Sequence, residues 1–75
     1  MEKVISFDRH AKRRMKWRKI SEAEVISVLK EPEKMEPTIY GRINVFKTMG
    51  SRYLKVTYKE FESELLVISA VDKSD

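Results

Sequence analysis

The sequence predicts an α+β domain with a short N-terminal strand, two helices and then a three-stranded antiparallel meander. Helix-start signals stand at Asp8 and Ser21, and both prolines lie within residues 31–37. After this segment, apolar and polar residues alternate with the period of two that is typical of half-buried strands. A chain of 75 residues has the length of one domain, which we expect to span residues 1–75.

The first strand and the first helix follow from short local patterns. Residues 3–7 (KVISF) are β-branched and alternating, and so short a segment favours a strand at a sheet edge. Asp8 can accept hydrogen bonds from the first amides of a helix. In that helix Ala11 and Met15 share one thin apolar face, and the other faces are basic. We expect Trp17, which lies beside this face, to be part of the core.

The second helix has a stronger start signal. Ser21 and Glu24 fit a capping box, in which each side chain bonds the other residue's backbone N–H. Val25 and Val28 form a buried stripe, and Pro32 ends the helix. The polar segment 31–37 (EPEKMEP) is expected to link the helices to the meander.

We place the three strands of the meander at residues 39–48, 53–61 and 65–72, with Gly50 in the first turn. In the middle strand, alternation divides the side chains between two faces. Leu54, Val56 and Tyr58 face one way, and Tyr53, Lys55, Thr57 and Lys59 face the other. The last strand is apolar on both faces and is therefore expected to lie inside the sheet.

Composition restricts the classes of function. The net charge is +4 and no cysteine is present, which excludes disulfides and thiolate metal sites. No apolar run approaches the ~18 residues of a membrane span, and the first residues lack a signal-peptide pattern. We therefore expect a cytoplasmic protein without membrane contact, without cofactor or metal, and with an anionic partner. Homodimer formation would support so small a core.

The basic segment 8–19 (DRHAKRRMKWRK) is the main functional signal, because seven of its twelve residues are Lys or Arg. Such a helix can neutralise phosphates, and Trp17 beside it could stack on an unpaired base. The simpler alternative is a solvated helix face with Trp17 in the core. We favour the core position for Trp17 and polyanion binding for the charges.

His10 is the one side chain that normally exchanges protons near neutral pH. At a helix start its neutral form, which suits a general base, is favoured. The alternative is a local structural role, with His10 bonded to backbone and Arg14 paired with an acid such as Glu24. A second, dispersed set on the sheet could hold an RNA phosphate, or could simply face solvent. Its members are Arg42, Arg52, Tyr53, Lys55, Tyr58 and Lys59.

Ordered motifs give the chain a resemblance to a known family. The residues that carry it are Phe7-x-x-His10-Ala11-x-x-Arg14-Met15, Ile20-Ser21-x-x-Glu24-Val25, Leu29, Pro32, Gly41-Arg42, Arg52 and Leu66-Val67-Ile68-Ser69-Ala70. From about residue 4 to residue 71, the chain resembles small bacterial and archaeal domains of unknown function that are grouped with the RelE/ParE-like toxin superfamily. The resemblance implies a strand, two helices and a curled antiparallel sheet.

The same resemblance implies two kinds of target. RelE-like members are ribosome-dependent mRNA endonucleases that use basic residues with Tyr or His and no metal, whereas ParE-like members poison DNA gyrase. By position, His10 and Arg14 match the family signature, and Arg42 and Arg52 match its later basic positions. Tyr58 and Lys55 are analogous to RelE-type catalytic groups.

We therefore expect a domain that binds RNA or the ribosome. Two hypotheses stay open: a metal-independent mRNA endonuclease toxin, or a non-catalytic module that docks an antitoxin protein or a gyrase-like target. The catalytic candidates are His10, Arg14, Arg52, Tyr58 and Lys55. The nucleic-acid-binding candidates are Arg9, Lys12, Arg13, Lys16, Arg18 and Arg42.

Overall fold

The computed structural model describes residues 3–38 and 40–74. Along these residues the elements are β1 (Val4–Phe7), α1 (Arg9–Arg18), α2 (Glu22–Lys30), β2 (Lys34–Pro37), β3 (Arg42–Met49), β4 (Arg52–Glu60) and β5 (Glu64–Asp72). The strands form one sheet in the order β1-β5-β4-β3-β2. β1 is parallel to β5, and all the other neighbours are antiparallel.

The predicted three-stranded antiparallel meander is wrong. The described residues form a five-stranded mixed sheet, because β2 adds a strand beside β3 and β1 joins β5 in parallel. We predicted a linker at residues 31–37 because charged residues and prolines disfavour central strands. An edge strand tolerates both. The missing N–H of Pro37 costs no hydrogen bond on the outer side of an edge strand, and the charged residues stay in water because all four β2 side chains are exposed. Ile39, the predicted start of a strand, lies outside the described residues, and β3 begins at Arg42.

The predicted start of α1 is confirmed. Asp8 caps the helix by accepting a hydrogen bond from the His10 backbone N–H at 3.1 Å. Ala11 and Met15 are the buried residues of the helix, which fixes the side that faces the sheet. The helix ends at Lys19, whose φ of 57° is left-handed, a conformation that glycine usually supplies at this position.

The capping box of α2 is also confirmed. The Ser21 backbone N–H donates to Glu24 Oε1 at 2.9 Å, and the Glu24 N–H donates to Ser21 Oγ at 3.1 Å. Val25 and Val28 are fully buried. α2 packs against β3 and β4, whereas α1 packs against β5.

Both helices therefore cover the same face of the sheet. The predicted alternation in β4 is confirmed, because Leu54 and Val56 are fully buried under the helices and Tyr58 is 7% exposed. The opposite face carries Lys55 and Lys59, and no helix in the described part of the chain covers it; we call it the open face. No helix among residues 3–38 and 40–74 is long and apolar enough to cross a membrane.

Candidate nucleic-acid interface

α1 presents a basic surface to solvent. Because Ala11 and Met15 turn one side of the helix toward the sheet, every other residue of α1 is exposed. We call these exposed side chains the basic strip; they are Arg9, His10, Lys12, Arg13, Arg14, Lys16, Trp17 and Arg18.

Few acids neutralise the basic strip. Lys12 approaches Glu22 at 3.9 Å, with both side chains more than half exposed. Arg18 uses its Nη1 to donate to the Ala70 carbonyl at 3.0 Å, which holds the end of α1 against β5. The other Lys and Arg side chains of the strip form no ion pair with any residue that the structure describes. Their charge is therefore available to a polyanion.

The predicted core position of Trp17 is wrong, because its side chain is 77% exposed. At roughly 100° per residue, Trp17 lies about 200° around the helix from the buried Met15, so the apolar face cannot include it. Trp17 lines a shallow groove with Lys12, Arg13 and Lys16. An exposed indole between cations is the arrangement in which a base can stack while its phosphates are neutralised.

His10 and Arg14 both belong to the basic strip. Their i, i+4 spacing places them side by side on α1. The backbone N–H of His10 donates to the Asp8 carboxylate. The His10 ring and the Arg14 guanidinium form no hydrogen bond to any residue in the described ranges. The suggested pairing of Arg14 with Glu24 is wrong, because Glu24 binds Arg52 instead.

Arg52 lies under the helices, in an ion-pair network. Its Nη1 is 3.1 Å from Glu24 Oε2, and its Nε is 3.5 Å from Asp72 Oδ2. Hydrogen bonds from the Ser74 hydroxyl and backbone N–H lower the pKa of Asp72, and Arg52 adds to this effect. The network joins α2, β4 and β5, which gives Arg52 a structural role.

Tyr58 lies far from this network, and Lys55 lies on the open face of the sheet. Tyr58 is six residues from Arg52 along β4, which corresponds to about 20 Å of strand. Burial raises the pKa of the Tyr58 hydroxyl. Lys55 projects from the open face, as does Arg42, which pairs in register with Lys59. The five predicted catalytic residues therefore do not converge on one site.

The helical position of Trp17 was a sequence signal for its exposure. Its angular position outside the stripe of Ala11 and Met15 already placed it toward solvent. The acid partners of Arg52, by contrast, come from α2 and β5 and carry no local signal. Among the described residues, no three His, Asp or Glu side chains gather in a group that could hold a metal ion.

Comparison with protein families gives one result. A family model described as a domain of unknown function (DUF4258) matches residues 7–72, from the end of β1 to the end of β5. No curated protein and no solved structure matches the chain.

Proposed function

Since the chain belongs to the DUF4258 family, whose description names no activity, we propose from the geometry of α1 that the protein binds single-stranded RNA through the basic strip. The observation that carries this proposal is Trp17, which is 77% exposed among Lys12, Arg13 and Lys16. A structural tryptophan would bury its ring. The Trp17 ring is instead exposed to water in a groove that it shares with three cations, where its exposure is unfavourable but offers a face on which a base can stack.

Each part of the strip has a task in this proposal. Arg13 and Lys16 neutralise phosphates on either side of a base, and the indole of Trp17 stacks on that base. Arg18 is held by the Ala70 carbonyl, so it is a less mobile phosphate contact than the other cations. A fixed donor loses less side-chain entropy when it binds.

The RelE/ParE-like resemblance extends the proposal to RNA on the ribosome, and the part of its signature that contains His10 and Arg14 lies on the basic strip. If RNA is cleaved there, His10 is the base and Arg14 is the cation beside it. Arg52, Tyr58 and Lys55 lie elsewhere, so the geometry favours binding without cleavage.

Binding is tested by fluorescence anisotropy with a labelled oligouridine. The double variant Arg13→Glu/Lys16→Glu should weaken binding about 100-fold at moderate salt, because two phosphate contacts become repulsive. The matched control is Lys55→Glu/Lys59→Glu, which changes the net charge equally on the open face. We expect the RNA affinity of this control to fall less than about fivefold, because the open-face charges attract RNA only at long range.

Equal losses in the two double variants would contradict a defined RNA surface and would leave only attraction by net charge. A larger loss of affinity in the open-face variant would show that RNA binds the open face of the sheet instead. Polyglutamate is the competitor for the protein-docking alternative. If it displaces the oligouridine as well as unlabelled RNA of equal charge does, the strip recognises acidic chains rather than nucleic acid.

Cleavage is tested separately. Native protein is incubated with RNA, with and without ribosomes and EDTA, beside His10→Ala. Cleavage that persists in EDTA and disappears in His10→Ala would support the endonuclease hypothesis. Intact RNA under all conditions, with the same RNA affinity in the native protein and in His10→Ala, would leave binding as the function.

A further inference from the structure

A cleft lies on the helix side of the sheet, at the end of β4 opposite Arg52. Its volume is about 560 Å³, which is within the usual range for small-molecule sites. The second half of α2 forms one wall, with Ile26 and Leu29. Ile5 of β1 and Leu65 of β5 form the other, so the interior of the cleft is mostly apolar. α1 contributes no residue to it.

Tyr58 is the polar group inside this cleft. Its side chain is 7% exposed, and its hydroxyl forms no hydrogen bond to any residue in the described ranges. Every fully buried side-chain oxygen or nitrogen of those residues has a hydrogen-bond partner. Since the Tyr58 hydroxyl has none, its oxygen is not fully buried and opens onto the cleft. A phenol hydroxyl that opens onto a cleft and has no partner in the described part of the chain is a donor that a ligand can satisfy.

The charges at the cleft favour an anion. Lys3 and Lys30 line its rim, and the one acid there, Glu60, is already paired with Lys3. Lys30 forms no ion pair with a described residue. One cation is therefore left over at the rim of the cleft that Tyr58 also lines. Because burial raises the pKa of Tyr58, its hydroxyl remains a donor well into the alkaline range.

We propose that the cleft binds a small amphipathic anion, with an aromatic or aliphatic body and one carboxylate or sulfonate group. The body packs against Ile26, Leu29 and Leu65, and the anionic group accepts hydrogen bonds from the Tyr58 hydroxyl and the Lys30 amine. This site is independent of the proposed RNA surface, since the two share no residue.

The test is a fluorescence titration of the native protein with anilinonaphthalene sulfonate, which has the aromatic body and the single negative charge that the cleft should accept. We expect saturable binding of one probe per chain. Tyr58→Phe removes only the hydroxyl and should weaken binding about tenfold, the usual cost of a lost hydrogen bond to a charged group. Lys30→Gln should weaken it about threefold.

Tyr40→Phe and Lys73→Gln are the matched controls, because both residues are exposed and lie outside the cleft. Each should bind the probe within twofold of the native protein. Amide chemical shifts, measured on the native protein, should change most at Leu29 and Leu65.

Three outcomes would overturn the proposal. The first is the absence of saturable binding by the native protein. The second is unchanged affinity in both Tyr58→Phe and Lys30→Gln. The third is a set of shift changes confined to α1, which would place the probe on the basic strip.

Discussion

The basic strip of α1 and the helix side of β4 both carry an arginine and an aromatic residue, but the two regions hold them in different environments. In the strip, Arg13 has no acid partner among the residues that the structure describes, and Trp17 is exposed to water. On β4, Arg52 is held by Glu24 and Asp72, and Tyr58 is buried. Arg13 and Trp17 are therefore available to a polyanion, whereas Arg52 and the ring of Tyr58 hold the fold together.

The two aromatics give the largest contrast. Tyr58→Ala should destabilise the fold by about 3 kcal/mol, because it empties a buried volume. Trp17→Ala should change stability by less than about 0.5 kcal/mol, yet weaken RNA binding about tenfold through the lost stacking. Urea denaturation and anisotropy measure the two effects. Similar stability losses in both variants would break the contrast.

The two arginines give a smaller difference. Arg52→Met should cost about 1–2 kcal/mol, because it leaves Glu24 half-buried without a cation. This value is below that of a fully buried pair, since the Arg52 side chain is 26% exposed. Arg14→Met should leave stability unchanged and weaken RNA binding about threefold. If Arg52→Met weakens RNA binding more than Arg14→Met does, the division into a structural and a binding cation is wrong.

Lys19 at the end of α1 supplies a positive charge but destabilises the fold. Its φ of 57° is strained for a residue with a Cβ. Lys19→Gly should therefore stabilise the fold by about 0.5–1 kcal/mol and weaken RNA binding about twofold, because one cation is lost. The control Lys19→Ala should weaken RNA binding equally, without raising the midpoint of urea denaturation. Stabilisation by alanine as well would show that the left-handed conformation is not the cause.

The smallest effect concerns alkaline pH. Burial raises the pKa of Tyr58 above its ordinary value of 10.0. As pH rises past about 10, the unfolded chain releases this proton first, so the free energy of unfolding falls until the folded protein also releases it. Tyr58→Phe should lose less stability than the native protein in this range, whereas Tyr40→Phe, at an exposed position, should follow the native protein. Identical pH profiles for all three proteins would contradict burial as the cause.

Local patterns predicted the caps at Asp8 and Ser21 and the two faces of β4, because these depend on neighbouring residues only. The sheet topology was not predictable in the same way. β1 meets β5 after a separation of about 60 residues, so their parallel pairing depends on how both helices pack. β2 was missed because an exposed edge strand has the composition of a loop.

The candidate site shows the same limit. The charge of the strip could be seen in segment 8–19, but its availability could not, since the acids that neutralise a cation can come from any part of the chain. Glu24, predicted as a cap, is also the partner of Arg52. The cleft at Tyr58 combines β1, α2, β4 and β5, and no contiguous stretch of sequence indicates it.

Trp17 is the only tryptophan of the chain, so its emission reports directly on the basic strip. The measurement is a titration of the native protein with oligouridine, followed at once by Trp17 emission and by anisotropy of the labelled RNA. If a base stacks on the indole, Trp17 emission is quenched with the same midpoint as the anisotropy change. Binding by anisotropy with unchanged Trp17 emission would contradict the strip as the RNA surface.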